Sequence, residues 1–140
     1  MTARQSTCIA IGGRALLIEG PSGAGKSSLA LALIDRGAEL IGDDSVILEV
    51  INSKLIARPH PNTQGLIEVR NLGLLPFPVR SEAPVALVVR LDQAAPRFVE
   101  EADAIEIAGL SIPLIRLWPG GTALPMKAEL ALSRFGLSCG

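Results

Sequence analysis

Aromatic side chains are scarce in this chain: of 140 residues three are Phe, one is Trp and none is Tyr. Aliphatic packing must therefore fill the interior, and sheet faces of Ile, Val and Leu fit that supply. Cysteine is nearly absent too. Cys8 and Cys139 lie at opposite ends, with no CxxC and no metal-ligand spacing, and read as unpaired thiols of a reducing compartment. The single histidine, His60, sits in the Pro-flanked stretch RPHPNTQ and reads as a surface loop residue rather than a catalyst. Neither sign of charge dominates. With 13 Lys and Arg against 14 Asp and Glu, and no basic cluster interleaved with aromatics, nothing pulls the chain toward nucleic acid or an anionic membrane. No apolar run approaches the ~18 residues of a membrane span, and MTARQSTCIAIGG is too short and too Gly-interrupted for a secretory signal. The expectation is a cytoplasmic protein with no membrane or nucleic-acid partner.

Repeats, low-complexity tracts and linkers are also missing, so residues 1–140 are expected to form one domain, long enough to bury roughly two-thirds of the unfolded chain's surface. The apolar segments are mostly short. STCIAI and RALLIEG, joined by Gly12-Gly13, predict a hairpin, because adjacent glycines accept the positive φ of a tight turn. SSLALALIDRG predicts a helix, apolar on nearly every face, covered on both sides and stopped by Gly37. AELIG predicts a buried strand ending on Asp43-Asp44, and SVILEVINSKLIAR a second hairpin about Asn52-Ser53. The Pro- and Gly-punctuated stretch PHPNTQGLIEVRNLGLLPFPV reads as loop, short element, loop. PVALVVRL is a buried strand, DAIEIAGLSIPLIRLW two strands about Gly109, and TALPMKAELALSRFG a helix capped by Thr122 and stopped by Gly136. The fold class is α/β, with more strand than helix.

The chemistry begins in GPSGAGKSS, residues Gly20, Pro21, Ser22, Gly23, Ala24, Gly25, Lys26, Ser27 and Ser28, which match the phosphate-loop pattern G-x-x-x-x-G-K-[ST] between a strand and a helix. Its glycines let successive backbone N–H groups face inward at a helix N-terminus, where the peptide dipoles also favour an anion. Lys26 is placed to reach β- and γ-phosphate oxygens, and Ser27 to hold Mg²⁺. Asp43 and Asp44 end the strand that follows, which can return them to the same sheet edge. One carboxylate would support the metal shell and the other accept a proton from an attacking hydroxyl. In GLIEVRNLG, Glu68 and Arg70 flank Val69, so an extended backbone projects both to one side. The pair suits a metal site with a phosphate clamp, or equally a solvated face.

Those three stretches, GPSGAGKSS, LALALIDRGAELIGDD and GLIEVRNLGLL, occur in an order and at separations that resemble the catalytic domain of HPr kinase/phosphorylase, in a short form without the N-terminal domain. The resemblance covers roughly Ser6 to Leu75. It implies the P-loop domain shared with phosphoenolpyruvate carboxykinase: a strand-rich mixed sheet with a P-loop helix and a C-terminal helix. It further implies ATP and Mg²⁺ dependence, Asp44 as general base beside Asp43, and Glu68 as a metal contact. An HPr-like phosphocarrier protein would be the seryl acceptor, and a homo-oligomer, with hexamer as first guess, the assembly. The chain departs from the family pattern at Ser6, near a customary His; at Ser28, a customary acid; and at Asn71, a customary Gly. The C-terminal Pro-Gly-Arg-Asn of long members is reduced here to Pro119-Gly120-Gly121. Two other readings stand beside the serine kinase: a small-metabolite P-loop kinase, which calls for an Arg-rich lid, and a nucleotide-sensing module that transfers no phosphoryl group.

Overall fold

The computed structural model describes residues 1–138, so Cys139 lies outside the described residues. Eleven strands and two helices follow one another as β1 (Thr2–Arg4), β2 (Thr7–Ile11), β3 (Arg14–Glu19), α1 (Lys26–Asp35), β4 (Glu39–Gly42), β5 (Val46–Ile51), β6 (Lys54–Pro59), β7 (Leu66–Val69), β8 (Gly73–Pro76), β9 (Ala83–Leu91), β10 (Asp103–Ile107), β11 (Leu110–Leu117) and α2 (Leu124–Phe135). The main sheet runs β1-β5-β6-β9-β3-β2-β4, and β11, carrying β10, also pairs with β9. β9 is the hub: its first residues face β6 antiparallel, while its last residues run parallel to β3 on one side and to β11 on the other.

Alternation along the central strands builds a separate core on each face. Ile9, Leu16 and Ile18 join Leu87, Val89 and Leu91 under α1 and α2. Cys8, Ala10, Ala15 and Leu17 pack instead with Val85, Val88, Leu48, Leu55, Ile112 and Leu114, beneath the β5–β6 and β10–β11 hairpins. Strands buried on both faces carry no polar side, which is why RALLIE and APVALVVRL read as near-continuous apolar runs. The pairing of β3 with β9 shifts register between Ala15 and Leu16, a local irregularity on an otherwise regular parallel ladder.

Three expectations are corrected. A short polar strand, β1, precedes the first predicted one and pairs with β5, a long-range contact that local sequence does not signal. The punctuated middle stretch is a hairpin, β7–β8, turned through Asn71 at φ 76°. Thr122 does not cap α2: Ala123 holds that position, with no side-chain cap bond, and Pro125 near the start supplies the helix-ready φ. Helix α1 is also less enclosed than its composition suggests, with Leu29, Ala30 and Leu33 fully buried and the other apolar positions partly so.

Candidate functional site

Topology gathers the site. β2 runs antiparallel to both β3 and β4, so the C-terminal ends of β3, β4 and β9 share one sheet edge with the start of β2. That edge therefore carries Glu19 and the glycine loop after β3, Asp43 and Asp44 after β4, Arg90 near the end of β9, and Ser6-Thr7 before and at the start of β2. Loops at the carboxyl ends of strands, outside the sheet, are where open α/β folds bind ligands.

The loop residues take conformations that only glycine adopts freely: Gly23 has φ 80° and Gly25, the residue before α1, has φ 98°. Gly20 is fixed by space as well, since a Cβ there would come within 3.0 Å of the Leu91 carbonyl oxygen. No side chain caps α1 and no acidic residue stands in its first turn, so its leading amides face the hollow rather than a competing carboxylate. Lys26 lies back over the loop and donates from Nζ to the Gly20 carbonyl at 2.7 Å.

The two aspartates are unlike. Asp43 is buried, and its Oδ1 accepts hydrogen bonds from Ser27 Oγ at 2.7 Å and Thr7 Oγ1 at 3.1 Å, while the Glu68 backbone N–H donates to Oδ2 at 3.4 Å. Three donors leave the carboxylate little freedom to turn. Asp44 is exposed, its side chain has no such partners, and its backbone sits at φ 69°, a region a non-glycine residue enters at a cost. Its backbone N–H donates to Thr7 Oγ1 at 3.4 Å, so one hydroxyl, itself buried, touches both aspartates.

One hollow of about 550 Å³ is lined by Ser22, Gly23, Gly25, Lys26, Ser27, Ser28, Asp43, Asp44, Glu68 and Arg70. The sequence-predicted residues from three separate stretches thus meet in one place. Gly20 and Pro21 line a neighbouring hollow of about 740 Å³ with Gln5, Ser6, Thr7, Glu19, Ser22, Lys26, Asp44 and Arg90. Ala24 joins Pro21, Ser22, Gly23, Arg90, Leu91, Asp92, Gln93 and Pro119 around a third, on the outer wall of the loop. His60 lines none of them. Its Nδ1 accepts the Asn62 backbone N–H at 3.1 Å in an exposed turn.

Sequence reading missed Thr7, Glu19 and Arg90. None belongs to a motif, and only the pairing of β2, β3 and β9 brings them to the loop. Glu19 is held by Arg4, whose Nε donates to Oε2 at 2.6 Å and whose Nη2 donates to Oε1 at 3.0 Å. The Glu19 hydrogen bond is the main reason that the Arg4 pKa is raised, against the opposing effect of burial. The departure residue Ser6 is buried and donates weakly to the Ile18 carbonyl at 3.4 Å.

Among the described residues no three Asp, Glu, His or Cys side chains converge as a metal cluster. The donors present still fit Mg²⁺, which takes one or two carboxylates and leaves its other positions to water and substrate phosphates. The Ser27 hydroxyl against the Asp43 carboxylate is such a hard-oxygen pair, beside the glycine loop.

Comparison with known proteins gives a consistent picture. The family model described as HPr Serine kinase C-terminal domain matches residues 1–119. The HPr kinase/phosphorylase of Mycoplasma mycoides subsp. mycoides SC is 33% identical over 141 residues, covering 90% of this chain and 45% of that protein. The enzyme of the same name from Clostridium novyi is 33% identical over 155 residues, covering 99% of this chain and 50% of its own length. The chain thus spans about half the length of these curated relatives. The solved structure of the HPr(Ser) kinase/phosphatase from Coxiella burnetii superposes with a TM-score of 0.84 at 25% identity, covering 95% of this chain and 90% of that one.

Proposed function

The chain belongs to the HPr serine kinase C-terminal domain family, and from that premise we propose that it is an ATP- and Mg²⁺-dependent serine kinase whose acceptor is a seryl hydroxyl on a small HPr-like phosphocarrier protein. The observation that carries this reading is the inequality of the two aspartates at the mouth of the glycine loop. Asp43 accepts three hydrogen bonds and suits a fixed anchor. Asp44, exposed on the same edge, lines both hollows that adjoin Lys26.

In the reaction the inward amides of Gly23 to Lys26 and the Lys26 ammonium grip the triphosphate, which displaces Lys26 from the Gly20 carbonyl. Mg²⁺, when bound, neutralises charge on the β- and γ-phosphates, and Ser27 and Asp43, with Glu68, are the residues that would hold it. Asp44 accepts the proton of the seryl hydroxyl as its oxygen bonds to the γ-phosphorus and the bond from that phosphorus to the β–γ bridging oxygen breaks, ADP departing, the step a general base accelerates. Arg70, exposed on the β7–β8 hairpin and lining the same hollow, clamps phosphate oxygens from the acceptor side. Leu72 and Leu74, exposed on that hairpin, offer the carrier an apolar contact. A cytoplasmic site of action suits such a carrier, and no helix among the described residues is long and apolar enough to cross a membrane. Assembly as a homo-oligomer, with a hexamer first, would use outward apolar residues of α2 such as Met126 and Leu130, and sedimentation reads it directly.

The test is incubation with γ-labelled ATP, Mg²⁺ and the HPr-type carrier of the same cell. Label on one carrier serine, slowed about 10²–10⁴-fold by Asp44→Asn, is the expected result. Label on a small metabolite, or tight ATP binding with no label anywhere, would replace this reading with the metabolite kinase or the nucleotide sensor.

A further inference from the structure

Six arginines of the described residues are partly buried, and five of them are engaged. Arg4 holds Glu19, Arg14 donates to the Leu137 carbonyl, Arg58 holds Glu49, Arg80 holds Glu39, and Arg116 holds Asp103. Of these six, Arg90 alone has no hydrogen-bond or ion-pair partner among the described residues. A guanidinium withdrawn from water without a counter-charge costs stability, and such a cost persists where an anion is to be bound.

The carboxylates nearest to it along the sheet are occupied. In the parallel ladders Arg90 stands beside Glu19 of β3 on one side and Arg116 of β11 on the other, so the three side chains project to the same face. Glu19 is taken by a two-point contact with Arg4. Asp92, two residues along, accepts the Ala94 N–H at 2.8 Å and lies 3.7 Å from Arg116. Arg90 is left facing the hollow of about 740 Å³ that it shares with Lys26 and Asp44. Next to it the backbone of β9 runs close to the loop, since a Cβ on Gly20 would meet the Leu91 carbonyl oxygen at 3.0 Å.

We propose that Arg90 binds the terminal phosphate of the nucleotide, as a second cationic contact facing the hollow with Lys26 and contributed by β9. The proposal rests on the kinase reading for its ligand, a nucleoside triphosphate. Its role is to hold a γ-phosphate oxygen and to offset the charge that builds on the phosphoryl group during transfer, in the manner of an arginine supplied from the same chain. The planar fork suits two oxygens of one phosphate, which a lysine cannot match.

Calorimetric titration of wild type, Arg90→Gln and Arg90→Lys with Mg-ATP and, separately, Mg-ADP tests it, with a thermal melt of each protein. Arg90→Gln is expected to weaken ATP about 10- to 100-fold while leaving ADP unchanged, with Arg90→Lys in between and no fall in melting temperature. Equal weakening of ATP and ADP, no weakening at all, or a loss that tracks a lowered melting temperature would overturn it. The two readings fail differently. A wild type that binds ATP but labels no carrier removes the kinase, while the ATP-to-ADP ratio still decides the role of Arg90.

Discussion

Two walls face each other across the hollow, and they are built differently. The wall proposed to hold the nucleotide (the nucleotide wall), from Gly20 to Ser28 with Asp43 and Thr7, is rooted in strands whose side chains are buried on both faces of the main sheet. Its polar atoms are paired: Lys26 on Gly20, Ser27 and Thr7 on Asp43. The opposite wall is the β7–β8 hairpin, a separate two-stranded sheet whose one fully buried side chain is Ile67. Val69 and, at its base, Phe77 pack half-buried against the same core, and the Glu68 N–H donates to Asp43 and the Phe77 N–H to the Gly65 carbonyl. The difference teaches where precision resides. A loop that must present several amides to one phosphate needs a rigid root, whereas a surface that receives a protein acceptor can rest on one buried side chain and a few half-buried ones.

Breaking the nucleotide wall should have the largest effect. Lys26→Met removes the ammonium beside the loop and is expected to lower transfer about 10²–10³-fold, read as label on the carrier at saturating ATP. Unchanged transfer would mean that the loop does not hold the reacting nucleotide.

Truncating that buried side chain of the other wall should separate the two functions. Ile67→Ala costs about 2–5 kcal/mol of local packing. Because Ile67 joins the core under α1 but contributes nothing to the loop, carrier phosphorylation should fall and proteolysis at the hairpin rise while Mg-ATP affinity is kept. Parallel loss of ATP affinity would show the walls to be one unit.

A gentler change sharpens the contrast from within the nucleotide wall. Thr7→Val keeps the shape and deletes the hydroxyl between the aspartates, at a net cost of about 0.5–1.5 kcal/mol. The turnover number should drop and Thr7→Ser restore it, with the ATP affinity little moved. Failure of the serine to rescue would assign Thr7 to packing alone.

The smallest effect concerns Cys8, next to Thr7 and fully buried. Burial pushes its thiol well up. Raised in the folded state, such a group contributes its full stability below the unfolded thiol value of about 8.5 and loses it as pH climbs beyond, at no more than about 1.4 kcal/mol per pH unit. In a Cys139→Ser background a thiol reagent should therefore react only on unfolding. Rapid reaction of the native protein would show that the wall opens.

Much of this was legible in the chain, for physical reasons that differ by element. The β2–β3, β5–β6 and β10–β11 hairpins declare themselves because their turns need positive φ, found here at Gly12 and Gly13, Asn52 and Ser53, and Ala108 and Gly109. The glycine loop was legible because its residue types recur at fixed spacing between a strand and a helix, and the geometry brings Asp43, Asp44, Glu68 and Arg70 to the hollow beside it. The β7–β8 hairpin was hidden by prolines and glycines that also punctuate loops, with Asn71 and Gly73 taking the positive φ of its turn. Thr7 and Arg90 were hidden for a deeper reason. Each is an ordinary residue within or beginning a buried strand, and its importance is set by cross-strand register, Glu19 against Arg90, which no local pattern encodes.

The central claim is that the loop and Lys26 bind the nucleotide while Asp44 serves only the transfer. The most direct measurement is calorimetric titration of Asp44→Asn with Mg-ATP beside the wild type. The account predicts one site of the same affinity in both proteins, with heat that disappears when magnesium is removed. Loss of nucleotide binding in Asp44→Asn, or uptake indifferent to magnesium, would contradict it.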